Sequence, residues 1–252
     1  MLSLSGHDPT GGAGIQADAE AIHYFGCHPC SIITCLTVQD SSTVHRLIPL
    51  NSTDILEQAN ALFNDVQVSA IKIGLTGSIE CVNAIASILQ KHPRIPVIFD
   101  PVLACGDGTP LADIALINTI KSKLLPLTTL LTPNTLEATK LSGLANNTDI
   151  SALGAELLEQ GVSTVLITGG HIPGSTIFNS FFQPHETTRV FKWSRQAGEF
   201  HGTGCTLATS IAALIAQGSS LSSAIEQAQE YTNTCISKAQ KIGRGQAFPR
   251  RL

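Results

Sequence analysis

The stretch Leu2-Ser3-Leu4-Ser5-Gly6-His7-Asp8-Pro9-Thr10-Gly11-Gly12-Ala13-Gly14-Ile15-Gln16-Ala17-Asp18 decides the fold. Its apolar start at 2–5 predicts a buried strand, its glycines a turn, and residues 14–24 a helix. The same βα unit recurs outward along the chain. Further strands are predicted at 31–38, 70–74, 97–100, 130–132 and 164–168, most of them near-continuously apolar, as for parallel strands covered on both faces. Helices are predicted at 53–65, 79–91, 111–124, 136–143, 150–160, 203–217 and 221–241. In the first of these, Ile55, Leu56, Ala59, Leu62 and Phe63 fall at helical spacing and give one buried face. Gly161 and Gly218 follow their helices as C-cap glycines, and Ser220 or Ser222 would cap the last helix. A late pair at 176–182 and 188–193 breaks the rhythm and predicts an antiparallel hairpin. The expected fold is therefore α/β: a three-layer αβα domain spanning 1–252, with a mainly parallel central sheet and an antiparallel edge.

Composition narrows the function. With 252 residues, 43% hydrophobic and only 13% charged, the chain reads as one well-buried globule and not as a disordered protein. A net charge of −4 offers no basic field for nucleic acid. No apolar run approaches the roughly 20 residues of a membrane span, and the first residues lack the basic start of a signal peptide. A cytoplasmic location is the default expectation. Seven scattered cysteines do not read as a disulfide framework. Cys27-x-x-Cys30, near His23 and His28, reads either as ordinary reduced thiols or as a zinc or redox pair, but no second pair follows.

Every polar motif falls just after a predicted strand, where ligands bind in open parallel sheets. The glycines at 11–14 let backbone approach a ligand closely, or merely make a flexible loop, and Asp18 lies on the first turns of the helix that follows. Their spacing is not G-x-G-x-x-G, so this is not a dinucleotide fingerprint. Asp100-Pro101-Val102 puts a carboxylate at the sheet's carboxyl edge. Pro133-Asn134-x-x-Glu137 puts Asn134 and Glu137 on one face of a helical turn, as a cap or as ligands. Thr168-Gly169-Gly170-His171 is either a tight turn or a nucleotide-phosphate contact. His201-Gly202-Thr203-Gly204-Cys205 opens a helix, where stacked N–H groups and the helix dipole favour an anion; a plain helix cap is the alternative. Converging carboxylates could hold Mg²⁺, and together with the anion turn they point to phosphoryl transfer.

These motifs, in this order and over essentially the whole chain, resemble the hydroxymethylpyrimidine/phosphomethylpyrimidine kinases of thiamine biosynthesis, a family of the ribokinase-like superfamily. The resemblance implies ATP- and Mg²⁺-dependent phosphorylation of 4-amino-5-hydroxymethyl-2-methylpyrimidine and then of its monophosphate, by a homodimer. It implies that Gly6, Ala13, Asp18 and Gln39 line the pyrimidine pocket and that Gly202, Thr203, Gly204 and Cys205 form the anion hole. Asn134, Glu137, Thr168, Gly170 and Asp100 would serve the nucleotide, with Glu137 and Asp100 on the metal. Most superfamily members carry a catalytic aspartate where Cys205 stands, so Cys205 is expected as general base, its thiolate favoured by the helix N-terminus. Two departures stand out. Many members have lysine where Thr168 stands, and many have a lysine in the stretch occupied here by Ala104-Cys105-Gly106-Asp107-Gly108. Two alternatives are a pyridoxal kinase of the same fold and a non-catalytic paralogue that binds a pyrimidine or nucleotide.

Overall fold

The structure is a computed structural model that describes every residue except Asp107, so that one position of the lysine-free stretch 104–108 lies outside the described residues. In chain order the elements are β1 (Leu2–His7), α1 (Gly14–Tyr24), β2 (Cys30–Gln39), β3 (Val44–Pro49), α2 (Ser52–Asp65), β4 (Ile71–Ile73), α3 (Ile79–Lys91), β5 (Val97–Phe99) and α4 (Ile114–Lys123). There follow β6 (Leu130–Leu131), α5 (Thr135–Ser142), α6 (Ile150–Glu159), β7 (Thr164–Ile167), β8 (Thr176–Phe182), β9 (Arg189–Ser194), α7 (Thr203–Ala216) and α8 (Leu221–Ser237). All nine strands join one sheet in the order β3-β2-β1-β4-β5-β6-β7-β8-β9. The six from β2 to β7 are parallel, β3 is antiparallel on one edge, and β8–β9 form the antiparallel hairpin on the other.

Period-two alternation assigns the two faces of the sheet. Ile71, Ile73, Val97, Phe99, Leu131, Val165 and Ile167 pack beneath α2–α6. Their neighbours Ile98, Leu130 and Leu166 turn the other way, beneath α1, α7 and α8. The chain leaves β1 for β2 on one side and returns for β4 on the other. The crevice between β1 and β4 is therefore the topological switch point, where such sheets bind ligands.

The sequence reading holds for the α/β class, the parallel sheet and the late hairpin, and it misses β3. That strand pairs only with β2 and is half-exposed along its length, so it has no apolar alternation to reveal it. Two helices are shorter than expected. Asp113 caps Leu116 N and starts α4 at Ile114, and α8 stops at Ser237 and not at 241. Gly161 and Gly218 follow α6 and α7 with positive φ, and Ser220, not Ser222, caps α8. No helix among the described residues is long and apolar enough to cross a membrane.

One polar cluster interrupts the apolar layer beneath α1 and α7. Lys72 of β4 is fully buried and donates to both Asp18 carboxylate oxygens at 2.9 Å. Asp18 sits on α1 and also accepts from Ser3 Oγ of β1 and Thr209 Oγ1 of α7. Four elements thus share one carboxylate. Burial disfavours the Lys72 cation, but the adjacent Asp18 charge more than offsets this and raises its pKa. Gly74 lacks a side chain for the same reason, since a Cβ there would run into Ser5 Oγ and Lys72 Nζ.

Removing one partner of a buried pair strands the other charge, so Lys72→Met should lower unfolding free energy by about 3–5 kcal/mol. Replacing both partners with apolar residues should cost less. Urea titration followed by circular dichroism measures both, and a single-variant loss below about 1 kcal/mol would contradict the assignment.

Candidate active site

Two ladder irregularities shape the crevice. The β1–β2 register slips between Ser5 and His7, and the β2–β3 register slips between Val38 and Gln39. Such slips re-aim side chains at a sheet's end. The crevice opens into a cavity of about 660 Å³ at the carboxyl ends of the parallel strands. Gly6, Ala13, Gln39, Asp100, Asn134, Glu137, Thr168, Gly170, Gly202, Thr203, Gly204 and Cys205 all line it. Asp18 does not, which corrects its expected place in the pyrimidine pocket. The second turn of α1 aims it into the core, where Lys72 holds it.

The anion turn sits at the start of α7. Gly202, the N-cap, takes φ +80°, and no side chain caps the helix. The Gly202 carbonyl accepts from Thr206 N at 3.0 Å and Thr206 Oγ1 at 2.8 Å. With no acidic residue in the first turn, the leading N–H groups and the helix dipole can serve an external anion. The Asp100 carboxylate lies beneath this turn, 3.5 Å from where a Cβ on Gly204 would stand.

The expected Cys205 thiolate is not what this environment favours. Burial pushes the thiol up to about 12; Lys72 opposes this, while the Asp100 and Asp18 charges add to it. Burial beside two carboxylates therefore favours the protonated thiol at Cys205.

Asn134 and Glu137 form a capping box on α5. Glu137 N donates to Asn134 Oδ1, and Asn134 N donates to Glu137 Oε2, both at 2.9 Å. The cap and the ligand readings thus concern one pair of residues, because both also face the cavity. Burial and the nearby Asp100 charge raise Glu137 to about 8. Burial raises Asp100 as well, against the pull of Lys72 and the Cys205 hydrogen bond. Asp100 Oδ2 is buried and has no hydrogen-bond partner among the described residues. No cluster of three or more His, Cys, Asp or Glu among the described residues is arranged for a metal. Mg²⁺, however, commonly takes only one or two carboxylates together with phosphate and water. The unpartnered oxygen and the two buried carboxylates with raised pKa fit such an ion.

Four features escaped the sequence reading. His201 Nε2 pairs with Asp8 Oδ2 at 2.8 Å, and Asp8 also accepts from Thr10 N and Ala13 N. Burial would raise Asp8, but the His201 and Thr10 hydrogen bonds hold it at about 2. The Asp8-Pro9-Thr10 turn was a local signal for this, whereas the distant His201 gave none. A second cavity, of about 370 Å³, is lined by Asn179, Trp193, Gln229 and Asn233. It meets the first along Gly106, Gly170, His171, Phe200, Thr203 and Gln246. Gln229 Oε1 there accepts from both Asn179 Nδ2 and Trp193 Nε1. Arg195 is committed to the carbonyls of Gly170, Ile172 and Gly174, and so fixes the loop after β7. Lys140, one turn after Glu137, is the only Lys or Arg among the described residues lining the larger cavity.

Comparison with known proteins agrees with this geometry. The family described as phosphomethylpyrimidine kinase matches residues 8–249. The chain is 35% identical to the thiamine biosynthesis bifunctional protein ThiED of Geobacter sulfurreducens, covering 97% of this chain but only 50% of that protein. It is 32% identical to a hydroxymethylpyrimidine/phosphomethylpyrimidine kinase of Staphylococcus aureus, over 97% of this chain and 90% of the other. Among solved structures, a phosphomethylpyrimidine kinase from Clostridium difficile superposes with TM-score 0.81 at 29% identity, over 93% and 98% of the two chains. The ADP complex of Bacillus subtilis pyridoxal kinase superposes at 0.92 with 24% identity, over 99% and 96%, a likeness of fold. The architecture is ribokinase-like.

A protonated, buried thiol should resist alkylation. At pH 8, iodoacetamide should modify the half-buried Cys27 and Cys30 before Cys205, as read by peptide mass spectrometry. Selective labelling of Cys205 would contradict its raised pKa.

Proposed function

The chain belongs to the phosphomethylpyrimidine kinase family, and from that premise we propose that it is one kinase domain phosphorylating 4-amino-5-hydroxymethyl-2-methylpyrimidine with ATP. It then phosphorylates the monophosphate to the diphosphate used in thiamine biosynthesis. The observation that carries this reading is the α7 anion turn at the junction of two cavities, one for each substrate.

The larger cavity takes the pyrimidine. Gln39 faces it, and a carboxamide both donates to and accepts from an aminopyrimidine edge. Val44, Leu75 and Val102 supply apolar walls for the ring. The second cavity takes the nucleoside, with Trp193 for the base, and its phosphates run past Gly170 and Thr203 into the first. The alcohol oxygen then attacks the terminal phosphorus, the bond to the bridging oxygen breaks, ADP departs with that electron pair, and the alcohol proton leaves late through the transferred phosphoryl oxygens to water. The N–H groups of the Gly202–Cys205 turn stabilise the charge on the transferred group, a contribution typically worth a few kcal/mol. Such transition states are loose, so early proton removal contributes little and a neutral Cys205 suffices as the floor of the site. Asp100 and Glu137 would hold Mg²⁺, which neutralises phosphate charge when bound. Lys140 provides the cation that Thr168 does not.

We also propose a homodimer working in the cytoplasm, joined through the β3 edge of the sheet. Leu36 and Val38 of β2 are exposed there, beside the edge strand. Light scattering should give twice the chain mass, and a monomer would refute this.

Product analysis tests the activity itself. With Mg-ATP and hydroxymethylpyrimidine, the mono- and then the diphosphate should appear by ³¹P NMR, and pyridoxal should be the poorer substrate in parallel. Phosphorylation of pyridoxal alone would overturn the pocket assignment, and silence on both would overturn the reading as a kinase. Gln39→Ala should raise the pyrimidine KM about tenfold or more and leave the ATP KM unchanged, since a polar group in the substrate loses its partner. Lys140→Ala should do the reverse, with Lys140→Arg restoring most of the loss. Equal effects on both substrates would sink either assignment.

A further inference from the structure

The loop after β1 and the turn that opens α7 lie far apart in sequence, and one side chain outside both motifs binds them together. Arg251 is 3% exposed and lines neither cavity. Its Nη2 donates to the Gly12 carbonyl at 2.5 Å, and its Nε donates to Thr206 Oγ1 at 2.8 Å. Thr206 Oγ1 passes the contact on by donating to the Gly202 carbonyl at 2.8 Å. Nη1 reaches Glu20 Oε2 at 3.2 Å, and the arginine's own carbonyl accepts from Tyr231 OH at 2.7 Å. The junction has no slack: a Cβ on Gly202 would run into the Gly12 carbonyl and the Arg251 guanidinium together.

We infer that Arg251 is a positioning residue that sets the separation between the loop facing the acceptor alcohol and the turn facing the transferred phosphoryl group. Ala13, next to Gly12, and Gly202 both line the cavity, so any shift of one loop against the other changes the approach of the two reactants. The planar guanidinium fixes two donor directions at once, to Gly12 and to Thr206. A lysine has the charge but not the fork. A buried arginine that served stability alone would have no need to join the two loops that carry the reactants.

The inference rests on the kinase reading, and the wild-type enzyme in the same assay tests that reading separately. Arg251→Gln should lower kcat about ten- to hundredfold with both KM values within about threefold, because misplacement of roughly an ångström is costly to transfer but not to binding. ATP hydrolysed per pyrimidine phosphorylated should rise, since water can enter a loosened gap. Arg251→Lys should fail to restore kcat, while Glu20→Gln, which breaks only the exposed side of the arginine's contacts, should match wild type. Thr206→Val cuts the relay without removing the arginine and should reproduce the kcat loss if Arg251 variants prove unstable. Hydrogen exchange needs no turnover: in Arg251→Gln, amides at 11–14 and 202–206 should exchange faster together. Unchanged kcat and exchange in the folded variants would overturn the inference. So would a kcat loss that merely follows the unfolded fraction.

Discussion

The buried Lys72–Asp18 pair is the constraint on which the rest of the structure depends. Two ions taken out of water are costly, and they persist only where geometry and further hydrogen bonds satisfy them. Here Ser3 and Thr209 complete the carboxylate, so β1, β4, α1 and α7 meet at one point. Those elements frame the switch-point crevice and carry the glycine loop and the anion turn. The same ammonium also acts on the site, opposing the upward push on both Cys205 and Asp100.

Charge balance explains the remainder of the site. Three carboxylates face the cavity proposed to receive the phosphates, an arrangement that would repel them unless each is dealt with. His201 takes Asp8, which is held ionised and fully bonded. Burial and the Asp100 charge raise Glu137, burial and the Asp18 charge raise Asp100, and Asp100 Oδ2 has no partner among the described residues, the arrangement a divalent cation relieves. The helix N-terminus and Lys140 then supply the positive side. In the proposed mechanism, binding and catalysis draw on backbone dipoles and a metal more than on fixed cationic side chains.

Much of this was legible in the sequence. Near-continuous apolar runs such as Val97-Ile98-Phe99 announce strands covered on both faces, and turns rich in glycine and asparagine locate the carboxyl edge of the sheet. The site residues were named from the resemblance, and the motifs at 100–102, 133–137 and 168–171 also follow strand ends. The failures share one cause. Asp18 was placed in the pocket and Cys205 was given an anionic thiol because burial and the direction of a side chain are tertiary facts. Lys72, His201 and Arg251 reveal their partners only after the chain folds, and β3 hides because an edge strand needs no apolar face. A single sequence carries periodicity and local caps. It does not carry which distant charge answers another.

The most direct measurement is a crystal structure of the protein with ADP, Mg²⁺, aluminium fluoride and hydroxymethylpyrimidine. The expected result places the fluoroaluminate against the backbone N–H groups of Thr203, Gly204 and Cys205, with the pyrimidine beside Gln39 and the adenine beside Trp193. A fluoroaluminate bound away from the start of α7, or both organic ligands competing for one cavity, would contradict the central claim that the two substrates meet at this turn.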